Sequence, residues 1–245
     1  MTVVKPYSNS TKGKKQQVAE MFDNIAPKYD FLNHFLSFGI DKIWRRKAIK
    51  LLMKYSPKVI LDVATGTGDF AIASLKTGAN EVIGIDISEE MLAVGKNKIE
   101  AMGLSQQISL QKGDSEELDF PGGSFDAVTV AFGIRNFENL STGLNELNRV
   151  LKPDGVVCIL EFSKPRYFPV KQIYSFYSFY ILPFLGRLFS KDNSAYRYLP
   201  ESVEHFPDGE ELLNLLKDCH FVEVRQFRQT FGVATIYMGI KPLLT

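Results

Sequence analysis

The chain has 245 residues, 45% of them hydrophobic and 23% charged, with a formal net charge of +1. This balance is ordinary for a soluble globular protein and long enough for one large α/β domain. It provides no basic field for nucleic acid. The two cysteines, Cys158 and Cys219, have neither metal-ligand spacing nor a disulfide-rich context, so no metal is expected, and the first eight residues lack the apolar stretch of a secretory signal, so a cytoplasmic protein is expected.

Residues 14–54 read as helical. In the last of these helices Ile40, Ile43, Trp44, Ala48, Leu51 and Leu52 recur at helical spacing, and Lys42, Arg46 and Lys50 fall on another face. Pro57 ends the pattern. Apolar runs at 58–63, 81–86, 107–111, 125–130 and 156–162 then read as strands, with helices near 69–76, 88–102 and 140–151. This alternation predicts right-handed βαβ units and a mostly parallel sheet with helices on both faces. Residues 166–206 break the rhythm, being rich in Phe and Tyr and interrupted by Pro and Gly. A last helix opens at Asp208-Gly-Glu-Glu211 with capping-box spacing, and strands near 221–228 and 233–240, joined around Gly232, predict a C-terminal antiparallel hairpin. The expected fold is α/β, with a Rossmann-like seven-stranded sheet in a single domain, 1–245.

The most informative stretch is Lys58-Val-Ile-Leu-Asp-Val-Ala-Thr-Gly-Thr-Gly-Asp-Phe70, a buried strand running into a glycine turn at a helix start. Such a turn ordinarily offers bare N–H groups to a phosphate. Here Asp62 and Asp69 bracket it, which repels a pyrophosphate and attracts a ligand carrying an ammonium and a sulfonium. The expected ligand is S-adenosylmethionine. Ligands of open parallel sheets bind outside the carboxyl ends of the strands. The first such end carries Asp62, Thr65, Gly66 and Gly68. The second carries Asp86, suited to ribose hydroxyls, and the third carries Asp114 and Ser115, beside an adenine amino group. Gly66, Gly68 and Ala71 also fit the spacing of a nicotinamide-binding turn, and Asp69 and Asp114 argue against it.

With those residues in view, the chain resembles the menaquinone and ubiquinone biosynthesis C-methyltransferases. One family signature is similar to Tyr29-Asp-Phe-Leu-Asn33 followed by Leu36-Ser37 and Trp44, the other to Arg149-Val-Leu-Lys-Pro-Asp-Gly155 followed by Glu161-Phe-Ser163. The resemblance implies a class I methyltransferase in which Thr65, Asp86, Asp114 and Ser115 contact adenosylmethionine. It divides the chain into an N-terminal substrate cap (1–56), an adenosylmethionine-binding core (57–165), an aromatic insertion (166–206) and a C-terminal helix and hairpin (207–245). The chain departs from the family pattern at Ala131, where a serine is usual, and at Asp41, where a histidine is usual.

The reaction implied is methylation of a ring carbon of a polyprenylated hydroquinone, demethylmenaquinol to menaquinol. The alternatives are an enzyme that also accepts the ubiquinone benzoquinol precursor, a different small-molecule methyltransferase, or a non-catalytic nucleotide-binding module. A phenol carbon becomes nucleophilic when its hydroxyl is ionised or strongly polarised, and Arg135 and Asn136 at the fourth strand end are the candidate donors. Arg135 could instead bridge Glu161 as structural support. Tyr29, Asp30, Asp41 or a water could take the proton released from the ring. The stretch from Ile173 to Leu185 is expected to sheath the prenyl tail and, with the face of Lys42, Arg46 and Lys50, to allow a peripheral membrane contact. A core helix or a homodimer face is the other use of such a stretch.

Overall fold

The computed structural model describes residues 4–7, 9–37, 39–182, 184 and 194–243. Seven strands form one sheet: β1 (Val59–Val63), β2 (Glu81–Asp86), β3 (Ile108–Lys112), β4 (Phe125–Ala131), β5 (Leu151–Phe162), β6 (Val222–Gln229) and β7 (Ala234–Ile240). Their order is β3-β2-β1-β4-β5-β7-β6. The first five strands pair in parallel and β7 lies antiparallel between β5 and β6. The expected hairpin is therefore present, with its second strand inside and its first at the edge.

Side chains alternate across the sheet, as the two-residue period of a strand requires. Leu61, Val63, Val128, Val130, Val157 and Ile159 face the core shared with α6 (Leu140–Val150) and the C-terminal helix (Glu210–Asp218). Ile60, Ala127, Val156, Cys158 and Leu160 face the opposite core, which is closed by α3 (Ile40–Leu52), α4 (Asp69–Ser74) and α5 (Glu89–Ala101). Polar caps set two of these helices: Ser88 Oγ accepts the Met91 N–H at 3.2 Å and Asn139 Oδ1 accepts the Thr142 N–H at 3.0 Å.

A third core belongs to the cap. Here α1 (Lys14–Ile25) and α2 (Tyr29–Leu36) pack Val18, Met21, Ile25 and Leu36 against Met91 of α5 and against Leu182, Ala195 and Tyr198. The aromatic stretch supplies α7 (Val170–Phe176), which continues as one π-type turn over Tyr177–Ile181, and α8 (Ser194–His205); the C-terminal helix is then α9. Pro183, Gly186 and Arg187, three expected interruptions of this stretch, lie outside the described residues.

Several local expectations need correction. Ile43 is 48% exposed, and Ile49 takes its place on the buried face of α3 beside Trp44, Ala48 and Leu52. The strand expected at 156 begins at Leu151. Phe125 pairs with Leu151 and Ala127 with Val156, so Lys152-Pro-Asp-Gly155 bulges out of the ladder, with Asp154 at a left-handed φ of 62°. The capping box at Asp208 does not form. Gly209 precedes α9 and gives its N–H to Tyr237 Oη at 2.8 Å, while the Asp208 carboxylate turns to Lys164 and Arg166.

Candidate active site

The carboxyl ends of β1 to β4 open into a cleft with about 640 Å³ of empty space, mouth included. Gly66 and Gly68 turn the chain from β1 into α4 at φ of 56° and 80°, values that suit residues without a Cβ. The turn is tied to the second strand: the Gly66 N–H donates to Asp86 Oδ2 at 2.8 Å and the Ser88 N–H to Oδ1 at 2.9 Å. The residue lines the cleft, so the acceptor capacity these N–H groups leave is open to a ligand. Burial pushes the Asp86 carboxyl above the usual carboxylate range, although the N–H groups of Ser88 and Gly66 oppose this. At the third strand end Asp114 accepts the Glu116 N–H at 2.9 Å and pairs with Lys15 of α1 at 2.5 Å. Ser115 and Asn136 complete the wall; Asn136, expected beside Arg135 as a donor to the acceptor hydroxyl, lines this cleft and not the space that Arg135 lines, and its Oδ1 is buried with no partner among the described residues.

This lining fits S-adenosylmethionine. The acceptors Asp86, Asp114 and the orphaned Asn136 Oδ1 suit hydroxyl, amino and ammonium hydrogens, and the backbone at Gly66 lies open to the cleft.

Two of the acidic residues expected to frame the ligand face elsewhere. Asp62 is 1% exposed and does not line the cleft. Its oxygens accept Thr65 Oγ1 and Thr129 Oγ1, both at 2.6 Å, so Asp62 and Thr65 brace the turn from behind. Burial pushes the Asp62 carboxyl up to about 6 against those two hydrogen bonds. Asp69 points from α4 toward the cap, 2.9 Å from Lys98 and 3.6 Å from Arg45, and these cations hold it below the carboxylate range despite its burial. Its charge is spent on holding the cap, which corrects the expectation that it attracts the ligand.

Beyond a wall made by Phe22, Tyr29 and Phe132 lies a second space of about 1900 Å³, mouth included. This chamber is lined by apolar side chains of α1, α3, α7 and α8 together with Trp44 and Phe162. Its few polar groups include Asn33, Asp41, Arg45 and Arg135. Such a combination, apolar walls with a few convergent polar groups, is characteristic of a small-molecule site. Burial raises the Tyr29 hydroxyl pKa, with the Arg135 charge opposing, so Tyr29 is a donor at neutral pH.

Arg135 projects into the chamber from the short helical turn Ile134–Asn136 after β4. Its Nη1 is 2.8 Å from Glu161 Oε1 and also donates to the Phe132 carbonyl; its Nε donates to Ser202 Oγ at 3.3 Å. Among the described residues nothing accepts from Nη2. Glu161 is fully buried, and the guanidinium also stacks over Phe162 at 5.6 Å. The expected bridge from Arg135 to Glu161 is thus present through Nη1, and Nη2 is left without an acceptor among the described residues. Ser163, which ends the second signature, bonds the Gly232 carbonyl and Thr235 Oγ1, both at 2.8 Å.

Three functional candidates escaped the sequence reading. Lys14 Nζ donates to the carbonyls of Arg135 and Phe137, at 3.1 and 2.6 Å, and so pins the start of α1 over the turn that carries Arg135. Burial brings its pKa down to about 8. Lys15 covers Asp114. His34, whose only sequence signal is its seven-residue spacing to Asp41, lies 3.0 Å from that carboxylate through Nδ1.

The ubiE/COQ5 methyltransferase family model matches residues 10–241. The chain belongs to this family. It is 52% identical over 239 residues to a protein of Bacteroides fragilis named demethylmenaquinone methyltransferase, covering 97% of both chains. It is also 47% identical over 230 residues to the ubiquinone/menaquinone biosynthesis C-methyltransferase of Geotalea uraniireducens, covering 93% of this chain and 97% of that one. Among solved structures, an S-adenosylmethionine-dependent methyltransferase of Thermotoga maritima, described as a possible histamine N-methyltransferase, superposes with a TM-score of 0.63 at 19% identity, over 91% of this chain and 99% of that one. That likeness bears on the fold alone. The family read from the two signatures and the Rossmann-like methyltransferase fold are thereby established, and the protein is a methyltransferase.

Proposed function

We propose that this methyltransferase transfers the methyl group of S-adenosylmethionine to a ring carbon of demethylmenaquinol, giving menaquinol. The observation that carries this reading is the shared wall. An acceptor-lined cleft suited to a cationic nucleoside meets a large apolar chamber across Phe22, Tyr29 and Phe132, so donor and ring can lie on either side of one boundary. The names of relatives up to 52% identical over nearly the full chain support the naphthoquinol as acceptor.

In this reading Asp86 accepts the ribose hydroxyls and Asp114 with Ser115 holds the adenine side. The Gly66 backbone and Asn136 hold the amino-acid end, while Asp62, Thr65 and Gly68 fix the turn. The bound donor supplies an electrophilic methyl group on a sulfonium. Arg135 Nη2 donates to the acceptor's ionised oxygen, with Glu161 and the Phe132 carbonyl fixing the guanidinium. Preorganised donors of this kind act strongly in a site without water. Holding the nucleophilic carbon in line with the methyl supplies most of the acceleration, since an oriented pair can save several kcal/mol.

The chamber wall made by α7 and α8 sheathes the prenyl tail, and residues 1–56 act as the lid over the ring. The outer side of α7 and its π-type turn carries Phe176 and Tyr180, both more than half exposed, beside the exposed Tyr167 and Phe168. No helix among the described residues is long and apolar enough to cross a membrane. The exposed ridge supports peripheral contact with a bilayer as the route by which a lipid-borne tail enters. The test is incubation of the purified protein with methyl-labelled donor and each reduced quinone precursor, with the new methyl located by mass spectrometry. Ring-carbon labelling of the naphthoquinol is expected; transfer to neither ring contradicts the proposal.

A further inference from the structure

Resting on the function just proposed, we infer that Asp41 takes the proton leaving the methylated ring carbon, and that His34 conducts it from the chamber to the cap surface beside Asp69. The reaction requires such a route. As the ring carbon bonds the methyl, the methyl–sulfur bond breaks and its electron pair stays on sulfur, so the carbon carries methyl and hydrogen together. Aromaticity returns when the C–H electron pair re-enters the ring and the hydrogen departs as a proton. One proton must therefore leave a chamber whose walls are almost wholly apolar, at every turnover.

Of the acceptors considered from sequence, Asp30 lines neither space and is taken up by Lys98 and Thr67, both at 2.5 Å. Tyr29 holds its own proton, for the reason given above. Asp41 lines the chamber, and its side chain is 5% exposed. From it a chain of polar contacts runs outward. Oδ2 is 3.0 Å from His34 Nδ1, and His34 Nε2 is 3.4 Å from Asp69 Oδ2. Asp69 Oδ1 is 2.9 Å from Lys98 Nζ. The side chains of His34, Asp69 and Lys98 are each about a quarter exposed, so the chain passes from a dry carboxylate to a wet rim.

Neutral His34, with hydrogen on Nε2, accepts the proton of Asp41 on Nδ1. His34 then releases a proton from Nε2 at the rim beside Asp69. Ser37 Oγ, 2.7 Å from Asp41 Oδ1, and Arg45 fix the carboxylate in place. Asp41 is thus a catalytic residue and His34 a positioning and relay residue.

The test separates proton transfer from mere bracing. An electron-rich hydroquinol ring exchanges its hydrogen for deuterium through the same acid–base pair without any methyl transfer. Wild type loaded with S-adenosylhomocysteine and demethylmenaquinol in D2O is expected to deuterate the ring carbon, read by mass spectrometry. Asp41→Asn should slow this by roughly 100-fold and His34→Gln by about tenfold, within the range of general acid–base effects. Added imidazole should restore exchange to His34→Ala. Calorimetric binding of S-adenosylhomocysteine, in the cleft that neither residue lines, should stay as in wild type. Exchange at the wild-type rate in both Asp41→Asn and His34→Gln overturns the inference, as does a loss in His34→Ala that imidazole leaves unrestored. Failure of wild type to methylate the ring would instead sink the function on which the inference rests.

Discussion

Replacing Asp62 with asparagine tests the electrostatics of the glycine turn by a stability measurement. Asp62 is fully enclosed, its only donors among the described residues are the hydroxyls of Thr65 and Thr129, and burial lifts its pKa from 3.8 to about 6. The folded state therefore holds this proton more tightly than the unfolded chain. Below pH 3.8 both states carry it and it has no effect on stability. As the pH rises through 3.8 to 6, ionisation becomes progressively costlier in the folded protein, and above 6 the full penalty applies. A displacement of about two pH units, at about 1.4 kcal/mol each, makes that penalty roughly 3 kcal/mol. The amide of the Asp62→Asn variant must turn one threonine hydroxyl from donor to acceptor, a change that does not depend on pH. Urea unfolding of both proteins at intervals from about pH 4 to 7.5 should show the variant gaining on wild type by roughly 2–2.5 kcal/mol across the window, whatever the constant offset. A difference that stays flat with pH would refute the reasoning.

The Arg135–Glu161 pair gives a second prediction. Arg135→Met should remove the oxyanion donor and lower kcat by roughly 100- to 1000-fold, and by leaving Glu161 buried without its partner it should destabilise the fold by about 3–5 kcal/mol. Arg135→Met with Glu161→Gln should regain most of the stability and none of the turnover, as read by denaturant unfolding and single-turnover assays. Asp86→Asn should weaken S-adenosylhomocysteine binding by roughly 10- to 100-fold in calorimetry, the range for a lost charged hydrogen bond, and leave occupancy of the chamber unchanged. Phe168→Ser with Tyr180→Ser should reduce co-sedimentation with anionic vesicles by about tenfold or more, since each aromatic removed from the lipid interface forfeits roughly 1–3 kcal/mol; undiminished binding would place the membrane contact elsewhere.

The sheet was legible because most of its central strands are short apolar runs punctuated by Gly, Pro or Asp, and β1 to β5 alternate with helical periods as a parallel sheet demands. The positions of Asp86, Asp114 and Asn136 followed from that, since strand ends in an open sheet face the ligand edge. Directions were harder to read. Asp69 sits in the first turn of α4, and spacing alone cannot tell whether its carboxylate faces the cleft or the cap; the cations Arg45 and Lys98, remote in sequence, decide it. Asp62 follows the strand's alternation into the core, where two threonines take it up. His34 carried no motif, because its meaning depends on two turns of chain folding Asp41 back beside it. The aromatic stretch has composition without period, so the helices α7 and α8 and the chamber between them emerge only from packing.

The central claim is that the cleft holds the methyl donor and the chamber the quinol ring, and that the two meet where Phe22, Tyr29 and Phe132 border both spaces. A crystal structure of the protein with both S-adenosylhomocysteine and demethylmenaquinol tests it directly. The account predicts the nucleoside against Asp86 and Asp114 and the ring beside Arg135, with the unsubstituted ring carbon aligned on the sulfur and room between them for a methyl at about 3–3.5 Å from that carbon. A nucleoside outside the cleft, or a ring outside the chamber, would contradict it.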